Sequence, residues 1–520
     1  MAAAGASASH ARVTPPRIAW GAIGAVVAAK LAIHALSSGP LAWGYMTDEL
    51  YFLDCSDRLA WGYVDHPPFS VALLLPVRAL LGDSIPALHV LPALFSAAAV
   101  LLTGILAHEL GGGRTAQGLA ALALLSSPVS LALGTYYSMN PIDQALWAGG
   151  FLLLARILNG GSDRLWLALG LLVGVGLLNK VSMAWFGAGL GAGLVLTRER
   201  RRLATPWPWI AGAIAIALVS PFVGWQQQHG WPFFEFSREA AKQKVGAVSP
   251  WALLEGQILA MNPLAAPLWI AGLVASFTSP ALARYRPLAW IFVTTVGILA
   301  ASGSARIHYL APAYPVLLAA GAIVVERAGA AHRWLPRAAA IALALSGLIA
   351  LPLVVPLISP PATVAYEKAL GISLPQERES SGVLPMHLAL FQHAEATLDA
   401  VTRGFETLSP EERARVEILT SSFGETGAID RLGPRRGLPS RSIGIHNQYW
   451  LWGPGDATGQ LMLVVHESQA ELERWFRQCD RVAEIECPYC MPMLSAESVF
   501  LCRDARRPLR ELWPEMKLYR

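Results

Sequence analysis

The sequence predicts a mainly α-helical membrane protein of about eleven transmembrane helices, followed by a small α/β domain. Of the 520 residues, 54% are hydrophobic and only 15% are charged, whereas an ordinary soluble domain has roughly 25% charged residues. The mean hydropathy is +0.44. Apolar runs recur as far as about residue 358, and beyond about residue 360 charged residues reach the density of soluble proteins. This composition excludes a disordered chain and argues against a soluble enzyme, and a net charge of only +4 argues against a nucleic-acid partner.

The first span is predicted over residues 17–36, after a short polar tail, residues 1–16. A cleaved signal peptide is the alternative. The apolar run is long for such a peptide and lacks a convincing A-x-A cleavage site, which favours an uncleaved first span. A spanning helix needs about 20 mostly apolar residues. Further runs of this kind lie at 86–107, 116–134, 140–158, 164–179, 182–197, 207–224, 252–277, 287–302, 309–326 and 338–358.

The distribution of Lys and Arg predicts the orientation, because these residues concentrate in short cytoplasmic loops. With the N-terminus inside, Arg114, the basic cluster at 198–202 and the Arg residues at 327–337 are all cytoplasmic, while the opposite loops hold far fewer. An odd number of spans then places the C-terminal region outside. We therefore expect a multi-pass protein of the plasma or inner membrane.

Three regions follow: the tail, a transmembrane region over 17–358 and an extracytoplasmic α/β domain over 359–520. Two long outside loops, about 38–85 and 225–250, are too polar to span and are expected to lie at the interface as amphipathic segments. In the C-terminal domain, periodicity predicts helices over 392–408 and 467–479, and strands over 416–420 and 461–466.

The first outside loop is rich in carboxylates. In its stretch 43–69, Asp48 and Glu49 follow the first span, and three more Asp residues, including Asp65, have only Arg58 nearby. Such self-repulsion requires a cation, a metal or a bound ligand, unless the pair is merely solvated charge at the interface. His66 precedes Pro67 and Pro68, which restrict the backbone before them. It is interpreted as a metal ligand with Asp65, a phosphate contact or a capping group.

These features resemble the first extracytoplasmic loop of the GT-C superfamily of polytopic glycosyltransferases. The closest resemblance is to the bacterial protein O-mannosyltransferases and lipid A aminoarabinose transferases (families 39 and 83). The resemblance rests on the order and spacing of several motifs: Asp48-Glu49 then GYVDHPP; Tyr136-Tyr137 before Asp143; Asn179-Lys180; HGWPFFEF at 229–236; and RIHYLAPAYPVLLAAG at 306–321.

The resemblance implies a GT-C fold and transfer of a sugar from a polyprenyl phosphate to a hydroxyl of a lipid, protein or glycan. It implies Asp48 as general base, Glu49 as its neighbour and orienter, Asp143 as a second essential acid, and inversion at the anomeric carbon. Lys180, Arg306 and His66 are the candidate phosphate ligands. His66 stands where the aminoarabinose transferases have Lys, which puts the phosphate contact in question there.

Each of these residues also has a structural interpretation. Asp143 near Pro141 fits a helix cap, and Lys180 and Arg306 at span edges fit snorkelling side chains. No cofactor is certain; a divalent metal on Asp65 and His66 is one option. A transporter or lipid flippase is the alternative function, but it would place charges at the midplane in repeated halves, and no repeat is found. Neither the sugar nor the acceptor can be read from the sequence.

Four Cys residues cluster near the C-terminus: Cys479, Cys487, Cys490 and Cys502. An outside location favours two disulfides, zinc is the second option, and a redox pair at Cys487 and Cys490 is the third. The aromatic segment 446–455 contains Trp450 and Trp452. Such segments stack on sugar rings, or pack on a membrane or a neighbouring domain.

Overall fold

The computed structural model describes residues 17–242, 249–303, 306–372, 382–492 and 496–520. The predicted cytoplasmic tail, 1–16, and residues 243–248 of the second outside loop, with Lys244, lie outside the described residues.

The transmembrane region is a helical bundle. Its helices are α1 Trp20–Ser38, α2 Thr47–Asp57, α3 Phe69–Leu81, α4 Ile85–Glu109, α5 Arg114–Leu125, α6 Pro128–Leu133, α7 Met139–Leu158, α8 Leu165–Asn179, α9 Met183–Val195, α10 Trp207–Gln228, α11 Pro232–Ala240, α12 Pro250–Ala260, α13 Ala266–Thr278, α14 Arg286–Ser302, α15 Pro315–Ala328 and α16 Leu335–Val354. Short 3₁₀ segments precede four of them: Arg198–Ala204 before α10, Pro263–Ala265 before α13, Pro280–Tyr285 before α14 and Ile307–Ala313 before α15.

Helices are present in every one of the predicted apolar runs. Among the described residues, five helical segments are long and apolar enough to cross a membrane by themselves, and up to seven are if each bent pair counts as one span. The bent pairs are Pro250–Ala260 with Pro263–Thr278, at 101°, and Ile307–Ala313 with Pro315–Ala328, at 62°. Helices α8 and α9 are apolar but shorter, so the count of about eleven full spans exceeds what length and composition alone support.

Close contacts between the membrane helices depend on small residues, as is usual where apolar burial cannot drive association. Helices α13 and α15 touch backbone to backbone: a Cβ on Gly272 would lie 2.1 Å from the carbonyl oxygen of Leu317, and one on Gly321 would lie 1.9 Å from that of Leu268. The Gly residues of this tightly packed pair therefore cannot be replaced without separating the helices.

The first outside loop forms two helices, α2 and α3. Contrary to the expected amphipathic segment at the interface, every residue of α2 except Asp48 and Asp57 is buried, because the C-terminal domain covers the helix. In the second outside loop, α11 keeps a half-exposed, amphipathic face. Its Glu235 pairs with Lys517 near the C-terminus at 2.6 Å.

The C-terminal domain is α/β, as predicted. Its helices are α17 Pro360–Leu370, α18 Met386–Ala389, α19 His393–Glu406, α20 Pro410–Arg413, α21 Phe423–Leu432, α22 Asn447–Trp452, α23 Gln469–Trp475 and α24 Leu509–Leu512, and its strands are β1 Glu417–Thr420, β2 Ile443–Gly444, β3 Leu461–His466, β4 Phe476–Glu484 and β5 Ser498–Ala505. The sheet order is β2-β1-β3-β5-β4. Strand β1 runs parallel to β2 and β3, and β5 runs antiparallel to β3 and β4.

One predicted element is wrong in part. The helix expected over 467–479 ends at Trp475, and the chain continues directly as β4. The reason is tertiary pairing: Gln478 lies opposite Arg503, and Cys479 lies opposite Cys502, on β5. A disulfide joins this last pair, and another joins Cys487 to Cys490.

Candidate active site

Asp48 and Glu49 lie in the first turn of α2, directly after the loop that leaves the first span. The helix begins with a capping arrangement in which the backbone N–H of Met46 donates to Glu49 Oε2 at 2.9 Å. Asp48 is half-buried, whereas Glu49 is fully buried. The adjacent carboxylates therefore have different environments, and only Asp48 keeps access to the surface.

Glu49 is held by hydrogen bonds on both oxygens. Besides the Met46 contact, its Oε1 accepts the backbone N–H of Tyr137 at 2.6 Å and lies 2.7 Å from His89 Nε2. His89 in turn contacts Ser38 at 2.9 Å. This carboxylate thus joins α1, α4, α2 and the loop before α7. Its contacts fix the start of α2, and with it the position of Asp48.

Tyr136 connects Asp48 to the cationic side of the site. It is 9% exposed, and the charges of both Asp48 and Arg306 act on its hydroxyl. Burial first, and then the Asp48 charge, raises the pKa of Tyr136, so this phenol stays protonated. The predicted base and one predicted phosphate ligand are therefore both close enough to this tyrosine to act on its hydroxyl electrostatically.

Lys180 and Arg306, which we call the cation pair, are electrostatic neighbours. Lys180 Nζ donates to Asn140 Oδ1 at 2.7 Å and lies 5.0 Å above the ring of Tyr309. His308 is in electrostatic range of both members of the pair. Residues from the ends of α7, α8 and the 3₁₀ segment before α15 thus form one positively charged cluster.

Asp143 belongs to this cluster as an anionic partner. It is fully buried on α7, its Oδ2 accepts the hydroxyl of Ser182 at 3.0 Å, and its charge interacts with that of Lys180. A helix-cap role does not apply, because Ser138 is the N-cap of α7. Asp143 is therefore the buried anionic neighbour of Lys180 in this cluster.

Asp65 and His66 lie in a different set of contacts. Asp65 accepts hydrogen bonds from Tyr51, at 2.8 Å, and from Asn447 of the C-terminal domain, at 3.2 Å. His66 is 2% exposed, and its ring stacks on Phe52 with centroids 4.8 Å apart. Asp65 is thus part of the contact between the loop and the C-terminal domain, whereas His66 packs on residues of the loop itself.

A charged network, not anticipated from the sequence, holds the other end of α2. Arg431 of α21 donates to Asp54 at 2.5 Å and also to Asp57, which Arg78 of α3 contacts at 2.5 Å. Tyr449 donates to the second oxygen of Asp54. The partners lie up to 395 positions apart in the chain, so no local pattern could have indicated them.

A cavity of about 720 Å³ lies beside this network, between α2, α21 and the segment 440–457. Trp452 lines it and packs under the guanidinium of Arg58 at 4.4 Å. Trp450, in contrast, packs inside the domain, where its indole N–H donates to the carbonyl of Trp513 at 2.8 Å. Of the two tryptophans, only Trp452 is thus available to a ligand in this cavity.

Comparisons with known proteins agree with this architecture. The model of the dolichyl-phosphate-mannose-protein mannosyltransferase family matches residues 65–225. The crystal structure of ArnT from Cupriavidus metallidurans bound to undecaprenyl phosphate superposes with a TM-score of 0.59 at 15% identity, covering 93% of this chain and 98% of that one. Its apo form gives the same coverage and TM-score at 16% identity.

A more distant likeness is to the oligosaccharyltransferase of Archaeoglobus fulgidus tethered with an acceptor peptide, with a TM-score of 0.49, 14% identity, and coverage of 79% of this chain and 62% of that one. No curated protein matches the sequence. The long ArnT superposition covers both the helical bundle and the C-terminal domain, so the two parts together make up the shared fold.

Proposed function

We propose that the chain is a glycosyltransferase of the GT-C kind, as the family match and the shared fold support, and that it moves a sugar from a polyprenyl phosphate to an acceptor hydroxyl at the extracytoplasmic membrane face, with inversion. One observation carries the proposal. A half-buried carboxylate, Asp48, and one member of the cation pair, Arg306, both act electrostatically on the hydroxyl of Tyr136, and Arg306 acts on Lys180 in the same way. An inverting transferase needs such a site, with a base for the acceptor and positive charge for the leaving group.

The reaction follows from these roles. Asp48 removes the proton of the acceptor hydroxyl as its oxygen forms a bond to the anomeric carbon. The bond from that carbon to the phosphate oxygen breaks, and its electron pair leaves with the polyprenyl phosphate. A phosphate needs no proton to leave but does need its negative charge balanced. Lys180 and Arg306 supply that balance. Attack opposite the departing phosphate inverts the anomeric centre.

Two further carboxylates act through their neighbours. Glu49, saturated by hydrogen bonds, is a positioning residue that fixes the first turn of α2. Asp143 is a positioning residue for Lys180, opposing its charge from the interior. Asp65 and His66 have no part in our mechanism: Asp65 holds the first loop against the C-terminal domain through Asn447, and His66 packs on Phe52 within the loop.

The donor follows from the location of the site. Nucleotide sugars are absent outside the cell, and the membrane edge favours a lipid-linked donor; ArnT, similar in fold, was crystallised with undecaprenyl phosphate. The acceptor contacts the surface on the Asp48 side. The excess of Lys and Arg in the loops assigned to the cytoplasm supports the extracytoplasmic position of both.

The test is mass spectrometry of lipids and glycans from the source organism, with the gene intact or deleted. We expect deletion to remove one glycoconjugate and to cause accumulation of one polyprenyl-phosphate sugar, which identifies acceptor and donor together. Re-expression of the intact gene must reverse both changes. If the sugar-lipid pools and the glycans are the same in both strains, the proposed function is wrong and transport assays are the next step.

A further inference from the structure

Three metal-ligating side chains meet inside the C-terminal domain, apart from the active site described above. His393 is the first residue of α19, Glu425 lies in the first turn of α21, and Glu497 immediately precedes β5. Their exposures are 0%, 0% and 3%. One potential ligand atom from each lies within 4.8 Å of the other two. Three separate segments of the domain thus direct a nitrogen and two carboxylates at one buried point.

The distances suit a small metal ion. His393 Nε2 and Glu425 Oε1 are 3.6 Å apart. In a tetrahedral site with bonds of about 2.1 Å, two ligand atoms are about 3.4 Å apart. The His–Glu pair already has nearly this spacing, and all three ligand atoms lie within 4.8 Å of one another.

The hydrogen bonds leave one oxygen of each carboxylate unused, while His393 Nε2 lies 3.4 Å from the hydroxyl of Thr397. Glu425 Oε2 accepts the backbone N–H groups of Ser421 and Ser422 at 3.2 and 3.0 Å, and Glu497 Oε1 accepts the Ser421 hydroxyl at 3.3 Å. The other oxygens, Glu425 Oε1 and Glu497 Oε2, are buried without a donor from the protein. Carboxylates with one oxygen oriented by the surroundings and the other unoccupied are typical of metal ligands.

Charge points in the same direction. Glu425 and Glu497 are two buried carboxyl groups whose oxygens lie within 4.8 Å of each other, and like charges so placed repel one another unless a cation or a proton lies between them. A divalent ion would balance both carboxylates and bind the neutral imidazole.

We propose that His393, Glu425 and Glu497 bind a divalent transition-metal ion, Zn²⁺ foremost, at a structural site. One imidazole and two carboxylates favour this class of ion over Mg²⁺ or Ca²⁺, which prefer oxygen ligands alone. The site is closed to solvent, so the metal ties α19, α21 and the start of β5 together. A water completes the coordination.

The metal also has a connection to the membrane region. A Cβ on Gly424 would lie 2.8 Å from Thr47 Cβ, and one on Gly427 would lie 2.8 Å from Leu50 Cβ. Helix α21, which carries Glu425, therefore packs directly on the helix that begins beside Asp48. By fixing α21, the ion would fix the surface on which α2 rests.

The experiment measures metal in the purified, tag-free, full-length protein. We expect about one Zn²⁺ per chain by elemental mass spectrometry, and less than one-tenth of that in Glu497→Gln and in His393→Gln. The matched control is Glu471→Gln, which changes an exposed carboxylate that lies 3.8 Å from His466 in the same domain. It should retain the full metal content.

A second measurement uses only the native chain, so it does not depend on the variants folding. Stripping the protein with a chelator should lower its Tm, and adding Zn²⁺ in about hundredfold excess over Kd should restore it, a rise of roughly 5 °C or more. The proposal is overturned if the native protein contains no bound metal and its Tm changes neither with the chelator nor with Zn²⁺. The two carboxyl groups would then share a proton in place of a metal ion. Neither readout depends on glycosyl transfer.

Discussion

The replacement Asp48→Asn separates catalysis from stability at the start of α2. Asn keeps the shape of the side chain but cannot accept the proton of the acceptor hydroxyl. A positioned general base contributes about 10²- to 10⁴-fold to a rate, which corresponds to about 3–5 kcal/mol of transition-state stabilisation. The structural cost is smaller, because a carboxylate in the first turn of a helix contributes only about 0.3–1 kcal/mol.

We therefore expect transfer to fall at least a hundredfold while the Tm changes by a few degrees at most. The assay follows transfer from the polyprenyl-phosphate sugar that accumulates in the deletion strain, using purified protein in liposomes. The Tm of each preparation is measured in parallel. Transfer is compared at saturating donor, so that weaker donor binding is not mistaken for slower chemistry.

The matched control is Asp57→Asn, the same substitution at the other end of α2. Asp57 is 51% exposed and pairs with Arg78 and Arg431, so its loss should cost at most about 1 kcal/mol of stability and leave transfer within about threefold. The reasoning is refuted if Asp48→Asn, correctly folded, keeps more than a tenth of the native rate. Equal losses in the two variants would show that the helix, and not the base, was damaged.

Three further outcomes are expected. Arg306→Gln should weaken the binding of undecaprenyl phosphate about tenfold or more, measured by native mass spectrometry, because it removes one positive charge from the cation pair. The double change Cys479→Ser and Cys502→Ser opens a disulfide that spans 23 positions and should lower the free energy of unfolding by about 3 kcal/mol in a denaturant titration. Burial raises the pKa of Asp430, on α21, to about 7 in the folded protein. The free energy of unfolding therefore falls as pH rises from about 4, the usual pKa of an Asp in the unfolded chain, to about 7. The replacement Asp430→Asn should raise the Tm at pH 8, where the native carboxylate is charged, and leave it unchanged near pH 4.

The membrane helices were predictable because apolar composition alone determines where they form. The hydropathy of the apolar runs did not indicate where the helices bend. Asn262, at φ 75°, precedes Pro263 at the 101° bend, and Pro315 begins the second helix of the other bent pair. Proline removes a backbone donor and restricts the residue before it. The prolines that indicate both bends were therefore present in the sequence, but they lie inside runs of uninterrupted high hydropathy.

The candidate site was predictable only as a set of residue types near the membrane face. Sequence could indicate that Glu49 was unusual, but not that His89 and the Tyr137 backbone would saturate it. Nor could the sequence indicate that Asp65 would accept hydrogen bonds from Tyr51 and Asn447. Long-range partners are decided by packing, and a local motif cannot distinguish a carboxylate facing a substrate from one facing another domain.

Helix α2 connects the bundle and the C-terminal domain in the proposed transferase. Its first turn presents Asp48 towards Tyr136, while its last turn is clamped by Arg431 from α21. Helix α21 approaches closely because Gly424 and Gly427 leave room for α2. A shift of that helix along or around its axis would move the carboxylate relative to the cation pair, and a misplacement of about 1 Å is enough to cost a hundredfold in rate. The C-terminal domain therefore contributes to catalysis by geometry, although the proposed base and phosphate ligands all come from the membrane region.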